Sequence, residues 1–253
     1  MFGELKIYQP DEGAGPRVSV DTILLADFAR FPARSRVIEL GCAQGAVALI
    51  LARRRKINSQ AGRGARFPVI DAVDINPDLI VLAKKNAELN GLSSDVSFFV
   101  SDLRECRRDF KAESYDAVIM NPPYDEPGRS RPSPNGAMAD AMHGWSCTLA
   151  EVTASAKYLL KNRGKFFLVM RAKRTGELFT LLDANNVRPK RMRAVHPKPD
   201  RDASVVLIEA ARASGDGLTI EPPLFIHGPD GKYTAELLEA YNLGGGGAEK
   251  CRS

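Results

Sequence analysis

The stretch Tyr115-Asp116-Ala117-Val118-Ile119-Met120-Asn121-Pro122-Pro123-Tyr124 is the part of the sequence that most strongly decides the fold. Its first six residues form a short, largely apolar run of the kind that fills a central parallel strand. Two prolines end this strand, because each fixes φ near about −65° and lacks a backbone N–H. Pro123 also pushes Pro122 toward extended geometry. The sequence therefore predicts a buried strand that ends in a stiff turn, which offers acceptors and no backbone donors at the prolines.

Such a turn suits a planar amine whose two N–H bonds both need acceptors. The side-chain oxygen of Asn121 can accept one of them and the carbonyl of Pro122 the other. Tyr124 adds an aromatic face for stacking, an interaction worth about 1–3 kcal/mol per base in single-strand binders. Asn121, Pro122, Pro123 and Tyr124 are therefore the candidate catalytic residues. The alternative is a Pro-Pro loop that only ends a strand.

A second stretch has the pattern of a nucleotide-binding unit. Residues 37–41 form a short apolar strand, the small-residue loop Gly41-Cys42-Ala43-Gln44-Gly45 follows, and residues 46–55 have a helical pattern. Strand, glycine turn and helix make the first unit of a nucleotide-binding α/β fold, in which small residues let a ligand approach the backbone and the helix N-terminus.

Two further predicted strands end at carboxylates. Residues 69–74 end in Asp74, more than thirty residues after Gly41, where an acidic residue can accept from both ribose hydroxyls of a bound nucleoside. The alternative role for Asp74 is to cap a loop. Asp102 follows the strand at residues 96–100, where an acceptor can meet an adenine amino group. Taken alone, Asp102 is equally consistent with an ordinary surface aspartate.

The remaining pattern continues the alternation of strands and helices. Helices are predicted at 77–90, 145–161 and 175–185, and further strands at 165–170, 188–198 and 204–208. Five strands alternating with helices, followed by a hairpin, indicate an α/β protein with a doubly wound sheet. We expect residues 1–243 to form a single domain with a short N-terminal arm at 1–17, and residues 244–253 to form a flexible tail.

Composition narrows the class of protein. The chain has 253 residues and a net charge of +5, a moderate basic bias compatible with a nucleic-acid partner. Its four cysteines are scattered and its three histidines lie in no ligand spacing, so we expect no disulfide framework and no metal site. Because no apolar run approaches membrane-spanning length and no signal peptide is apparent, we expect a cytoplasmic protein without a membrane partner.

Two basic stretches have two interpretations each. Residues 53–66 indicate either a helix end whose cations complement the helix dipole or a phosphate contact. Residues 188–198 indicate either an edge strand protected by cations or an RNA-backbone contact. The structural alternative is favoured in both cases, only slightly in the second.

Taken together, these motifs resemble the class I S-adenosylmethionine-dependent N-methyltransferases that carry an Asn-Pro-Pro-Tyr motif, over roughly residues 18–211. The resemblance implies a seven-stranded, mostly parallel sheet with a terminal antiparallel hairpin, and S-adenosylmethionine as cofactor. One departure is visible, since Ala43 stands where the family has the middle glycine of its loop. The residues implied to bind the cofactor are Glu39, Gly41, Cys42, Ala43, Gly45, Asp74, Ile75, Asp102, Leu103 and Asn121.

Two flanking segments, residues 20–25 and 231–236, look like those of bacterial tRNA(Val) adenine-N6-methyltransferases. This resemblance implies N6-methylation of an adenine in tRNA, in the anticodon loop of tRNA(Val). Two alternatives share the acceptor geometry, namely methylation of a guanine in ribosomal RNA and of a glutamine in a protein. A non-catalytic RNA adaptor that binds S-adenosylmethionine is the third.

Overall fold

A computed structural model of the chain describes residues 5–11, 15–60, 69–122 and 147–242. The helices are α1 Val20–Phe28, α2 Ala46–Gln60, α3 Pro77–Leu89, α4 Cys106–Asp109, α5 Leu149–Leu159, α6 Thr175–Ala184 and α7 Ala235–Tyr241. The strands are β1 Val37–Leu40, β2 Ile70–Asp74, β3 Val96–Val100, β4 Tyr115–Met120, β5 Leu160–Arg171, β6 Val187–His196, β7 Val205–Arg212, β8 Thr219–Ile220 and β9 Leu224–Phe225. Short 3-10 helices at Leu103–Glu105 and Ala172–Arg174 follow β3 and β5.

All of these strands belong to one mostly parallel sheet. The strand order is β3-β2-β1-β4-β5-β7-β6-β8, and β9 also pairs with β6. Strands β1 to β5 are mutually parallel, while β7 runs antiparallel to both β5 and β6. The predicted doubly wound α/β fold with a terminal antiparallel hairpin is confirmed.

The predicted number of strands is wrong, because the described residues form a sheet of nine strands and not seven. The two additional strands, β8 and β9, have only two residues each and pair in parallel with β6. Glu221, Pro222 and Pro223 separate them. Segments this short carry no alternation pattern, so sequence reasoning has nothing from which to recognise them.

Alternate residues of the central strands fall into two separate hydrophobic clusters. Ala117 and Ile119 of β4 pack in one cluster, and Val118 and Met120 pack in the other. Successive side chains of a strand point to opposite faces, so both faces of the sheet are covered. The neighbouring strands β1 and β4 are therefore buried on both faces up to the point where they end.

Several predicted element ends are shifted. The helix expected at 145–161 begins at Leu149 after the capping residue Thr148, whose hydroxyl accepts from the Glu151 N–H. Strand β5 begins at Leu160 rather than at residue 165. The expected tail at 244–253 and most of the loop after Asn121 lie outside the described residues.

The basic residues at the end of α2 have partners inside the chain. The hydrogen bonds join Arg53 to the Asn90 carbonyl, Arg54 to the Ala26 carbonyl and Asp27, Arg55 to the Ser35 carbonyl, and Lys56 to the Gly91 carbonyl. Burial lowers the pKa of Arg55 to about 10. These contacts favour the structural interpretation over phosphate binding for residues 53–56, while residues 61–66 of the same stretch lie outside the described residues.

The basic strand β6 is partnered in the same way. Arg191 pairs with Glu209 and Glu221, Arg193 pairs with Glu236, and Arg188 pairs with Asp183. Strand β6 is also not a free edge, because β8 and β9 pair with it. Its arginines therefore pair with carboxylates of β7, of the helices α6 and α7 and of the residue after β8, which favours the structural interpretation of this strand.

Candidate functional site

Four parallel strands end side by side, and the predicted site residues follow them at one edge of the sheet. In the register, Leu40 of β1 pairs with Val73 of β2 and with Met120 of β4, and Asp74 pairs with Val100 of β3. Adjacent strands lie about 4.8 Å apart, so the four ends span about 14 Å. The strand order reverses at β1, and open α/β sheets bind ligands at such a switch point.

The loop that follows β1 has three residues in left-handed conformation. The φ angles are 65° at Gly41, 47° at Ala43 and 83° at Gly45. A Cβ at Gly45 would lie 2.8 Å from Cε1 of Phe98, whereas among the described residues one at Gly41 would meet only Cε of Met120, at 3.7 Å. Gly45 is thus required by packing, and Gly41 leaves open space beside the backbone. Ala43 adopts a conformation that costs about 1–2 kcal/mol for a residue with a Cβ.

Asp74 fastens this loop to the end of β2. Its Oδ2 accepts from the Ala43 N–H at 2.8 Å and its Oδ1 from the Asn76 N–H at 2.9 Å. Burial raises the pKa of Asp74, although hydrogen bonds from the backbone of Asn76, Ala43 and Ile75 lower it. The loop-capping role considered from the sequence is therefore present. Each carboxylate oxygen has two lone pairs, so these bonds leave acceptor capacity for ribose hydroxyls.

Glu39 lies beneath the loop and fixes the start of α2. Its carboxylate is buried, and Oε2 accepts from the Ala48 N–H at 2.8 Å. Burial raises the pKa of Glu39 well above its usual range; the Ala48 N–H lowers it and the charge of Asp74 raises it further. Glu39 therefore orients the N-terminus of α2 from inside the core.

Cys42 is also buried behind the loop. Its backbone N–H donates to the Val73 carbonyl at 2.8 Å. Burial and the negative charges of Glu39 and Asp74 raise the pKa of the thiol. A thiol of this kind stays protonated at neutral pH and is a poor nucleophile. Cys42 therefore contributes to the candidate site through the conformation of its backbone and not through its thiol.

Asp102 is held by its near neighbour Arg104. The Arg104 Nε lies 2.9 and 2.8 Å from the two carboxylate oxygens, and a terminal guanidinium nitrogen lies 2.6 Å from Oδ2. Partial burial alone would raise the pKa of Asp102. The hydrogen bonds and the charge of Arg104 outweigh this effect, so the pKa of Asp102 lies below its usual value. Leu103 begins the 3-10 helix, and its carbonyl accepts from the Ser155 hydroxyl. A ligand amino group at Asp102 has to share the carboxylate with Arg104.

The candidate catalytic turn begins at the end of β4. Asn121 is partly exposed and Pro122 is buried, directly after the Leu40–Met120 pair that joins β1 to β4. The turn thus leaves the sheet beside the loop at Gly41. Pro123 and Tyr124 lie outside the described residues.

Two polar residues near the loop were not singled out from the sequence. Gln44 is buried, and its Oε1 has no hydrogen-bond partner among the described residues. Asn86 of α3 is fully buried and donates to the Gln44 carbonyl at 3.0 Å. Asn86 stands on the apolar face of α3 with Leu79 and Ala83. The sequence signal that could have identified Asn86 is a polar residue on the otherwise apolar face of the predicted helix.

Comparison with known proteins assigns the family. A family model described as "Methyltransferase domain" matches residues 33–198, well over half of the chain. The chain belongs to this methyltransferase family. The resemblance inferred from the motifs is thereby confirmed, and S-adenosylmethionine is the cofactor.

Curated relatives of this methyltransferase share one description, tRNA1(Val) (adenine(37)-N6)-methyltransferase. The protein from Photorhabdus laumondii is 26% identical over 230 residues, which cover 87% of this chain and 85% of the relative. The protein from Tolumonas auensis is 27% identical over 222 residues, covering 88% and 86%. Among solved structures, a predicted O-methyltransferase from Agrobacterium tumefaciens superposes with a TM-score of 0.69 at 20% identity, covering 88% of this chain and 96% of that one. This last similarity shows the fold alone.

The residues at the strand edge fit an adenosyl cofactor. A Cβ at Gly41 would make no close contact with the described residues, and Gln44 supplies a buried acceptor that has no partner among them. The carboxylates of Asp74 and Asp102 add acceptors at the ends of β2 and β3. A ligand with ribose hydroxyls and amino groups matches this set of acceptors.

Within residues 5–11, 15–60, 69–122 and 147–242, no group of three or more His, Cys, Asp or Glu side chains is arranged to hold a metal ion. In the same part of the chain, no helix is both long and apolar enough to cross a bilayer.

Proposed function

We propose that this methyltransferase transfers a methyl group from S-adenosylmethionine to N6 of an adenine in tRNA, in the anticodon loop of tRNA(Val). The observation that carries the proposal is the shared description of relatives that align with 87–88% of the chain. The Asn121-Pro122 turn beside the cofactor loop supports it, since its acceptors match an exocyclic amine. In this proposal residues 1–243 act as one domain in the cytoplasm, with 1–17 as an arm and 244–253 as a tail.

The ends of β1, β2 and β3 hold the cofactor in this proposal. Backbone groups of residues 41–45 would hold the cofactor, with Asp74 as acceptor for its ribose hydroxyls and Asp102 as acceptor for its adenine amino group. Glu39, Cys42, Ile75 and Leu103 act by shaping the backbone around these groups. When bound, the cofactor supplies an electrophilic methyl group on a sulfonium, a good leaving group.

Asn121 and Pro122 hold the amine that receives the methyl group. The Asn121 side-chain oxygen accepts one N–H of the target amine, and the Pro122 carbonyl accepts the other. Accepting both N–H bonds opposes delocalisation of the nitrogen lone pair into the ring and aims it at the methyl group. Tyr124 stacks on the base. The chain contributes position and electrostatics, and needs no strong general base, because the amine becomes far more acidic after transfer and loses its proton to water.

The base has to leave its stack to reach this turn. Flipping costs a few kcal/mol in a stacked helix and less in a loop. An adenine in an anticodon loop therefore enters the site at a lower cost than one in a duplex. The net charge of +5 also favours association with a polyanion.

The proposal is tested by offering labelled S-adenosylmethionine with three unmodified acceptors, namely total tRNA, ribosomal RNA and release-factor protein, followed by nucleoside and amino-acid analysis. We expect label in N6-methyladenosine of tRNA. Label in guanine or in glutamine would show that the acceptor is a different group, while the role proposed for the Asn121-Pro122 turn would stand. Cofactor binding without transfer to any acceptor would overturn the enzymatic proposal in favour of an adaptor.

A further inference from the structure

Two asparagines of α3 hold an N-terminal segment, residues 5–11, which we call the strap. The side-chain oxygen of Asn86 accepts from the Tyr8 N–H at 2.7 Å, and its amide donates to the Tyr8 carbonyl at 3.0 Å. Asn90 repeats the arrangement with Lys6, accepting at 2.9 Å and donating at 2.7 Å. Each asparagine thus pairs with one strap residue as a neighbouring strand would.

The spacing explains why two asparagines can do this. Residues 6 and 8 of an extended segment lie about 6.6 Å apart along the chain and present their backbone groups to the same side. Residues 86 and 90 of a helix lie one above the other at a rise of about 6.0 Å. The two repeats match closely, so an Asn pair four residues apart can serve as a short ladder for the strap.

Asn86 differs from Asn90 in what else it contacts. Its amide donates to the Gln44 carbonyl of the cofactor loop at 3.0 Å as well as to Tyr8. Asn86 is fully buried, and hydrogen bonds away from water are stronger and costlier to break. The second donor contact of Asn90 is instead to the Asn86 carbonyl, within α3. Asn90 therefore supports the strap without touching the loop.

We infer that Asn86 is a positioning residue through which docking of the strap and binding of the cofactor stabilise each other. One amide group fixes Tyr8 on one side and the loop carbonyl beside Ala43 on the other. A ligand that orders the loop thereby favours the docked strap, and by linkage the docked strap favours the ligand. This inference rests on the cofactor site of the proposed function, and not on the identity of the acceptor.

The test follows hydrogen exchange of the Lys6 and Tyr8 amides, and S-adenosylhomocysteine affinity by calorimetry, in wild type, Asn86→Ala and Asn90→Ala. In wild type we expect the ligand to slow exchange at Tyr8. In Asn86→Ala we expect affinity to fall about tenfold, within the usual range of coupling, and ligand protection of Tyr8 to disappear. Asn90→Ala is expected to speed exchange at Lys6 and to lower the affinity less than Asn86→Ala does, because Tyr8 stays linked to the loop through Asn86 and keeps its ligand protection.

A second pair of variants keeps Asn86 in place. Tyr8→Pro removes the N–H that Asn86 accepts, whereas Tyr8→Ala keeps that N–H and removes only an exposed ring. We expect Tyr8→Pro to lower S-adenosylhomocysteine affinity and Tyr8→Ala to leave it unchanged. Both proteins retain the buried contact between Asn86 and Gln44, so their comparison does not depend on the stability of Asn86→Ala.

Three outcomes would overturn the inference. Exchange at Tyr8 that does not respond to ligand in wild type would show that strap and loop are uncoupled. Equal affinity losses in Asn86→Ala and Asn90→Ala, or in Tyr8→Pro and Tyr8→Ala, would assign Asn86 a structural role only. If the wild-type protein bound no S-adenosylhomocysteine, the proposed cofactor site itself would be wrong. If it bound S-adenosylhomocysteine normally but methylated no RNA, only the proposed acceptor would be wrong.

Discussion

The carboxylate of Asp74 accepts a hydrogen bond from the backbone N–H of Ala43 at 2.8 Å, so the end of β2 fastens the loop that follows β1. The same carboxylate accepts from Asn76 at the start of α3. One side chain therefore joins two strand ends and a helix start where four strands meet. Its proposed contact with the cofactor ribose is added to a structural role that the chain already requires.

Replacement of Asp74 by alanine is expected to affect both stability and cofactor binding. The variant leaves two N–H groups without their acceptor, which costs about 1–3 kcal/mol for each buried group. Urea unfolding and calorimetry with S-adenosylhomocysteine measure the two effects. Asp78→Ala, at an exposed aspartate in the first turn of α3, is the control and should change neither by much. Unchanged affinity in folded Asp74→Ala would remove Asp74 from the cofactor site.

Replacement of Ala43 by glycine is expected to stabilise the protein slightly. The left-handed conformation of Ala43 costs about 1–2 kcal/mol, and glycine at this position removes that cost. The greater conformational freedom of glycine in the unfolded chain, however, lowers the free energy of unfolding by about 0.4–1 kcal/mol. The net effect, measured by urea unfolding, should lie between no change and a gain of about 1.6 kcal/mol, with cofactor affinity equal or higher. Gly45→Ala should destabilise the protein, because its Cβ would clash with Phe98. A loss of stability in Ala43→Gly would contradict the assigned backbone conformation.

The pH dependence of stability is expected to change in Glu39→Gln. Because the folded-state pKa of Glu39 is raised, the folded protein binds more protons than the unfolded one between the ordinary glutamate pKa and the raised value. Wild type therefore loses stability from this group as pH rises through that window. The stability of Glu39→Gln relative to wild type should improve with pH, as measured by urea unfolding at about pH 4.5 and pH 7.5. A difference that does not vary with pH would contradict the raised pKa.

Replacement of Arg191 by methionine tests whether the basic strand β6 is structural. The Arg191 guanidinium lies 4.0 Å from the Phe28 ring centroid, donates to the Phe28 carbonyl at 2.6 Å and pairs with the buried Glu209. Lys165 still pairs with Glu209 in the variant, so we expect a loss of about 1–3 kcal/mol, below that for a fully isolated buried charge.

The affinity of folded Arg191→Met for tRNA should match that of wild type. Lys198→Gln, at an exposed lysine, serves as the stability control and should stay within about 0.5 kcal/mol of wild type. A stable Arg191→Met that binds tRNA more weakly would restore the RNA-contact interpretation of this strand.

Much of the fold could be predicted because local and long-range signals agree. The strand at 115–120 and the helix bracketed by Asn76, Pro77 and Gly91 have clear patterns, and the helix is observed at Pro77–Leu89. Strands β8 and β9 could not be predicted, because two-residue segments are defined only by their pairing with β6.

The sequence predicted where several candidate site residues lie along the strands, but not which side chains they contact. The sequence placed Asp74 and Asp102 at strand ends, and both are found there. It did not show that Arg104 holds Asp102, or that Asn86 lies between the strap and the loop. These contacts depend on side-chain directions and on approaches between residues distant in sequence, which periodicity does not encode.

We propose that Asn121 aligns the accepting amine and contributes little to cofactor binding. The most direct test measures single-turnover methyl transfer to unmodified tRNA at saturating S-adenosylmethionine, together with cofactor affinity, in wild type and Asn121→Ala. We predict a fall in rate of about 100-fold or more with cofactor affinity nearly unchanged, as expected for loss of a preorganised transition-state contact. A normal rate of N6-methyladenosine formation combined with a large loss of cofactor affinity would contradict the claim.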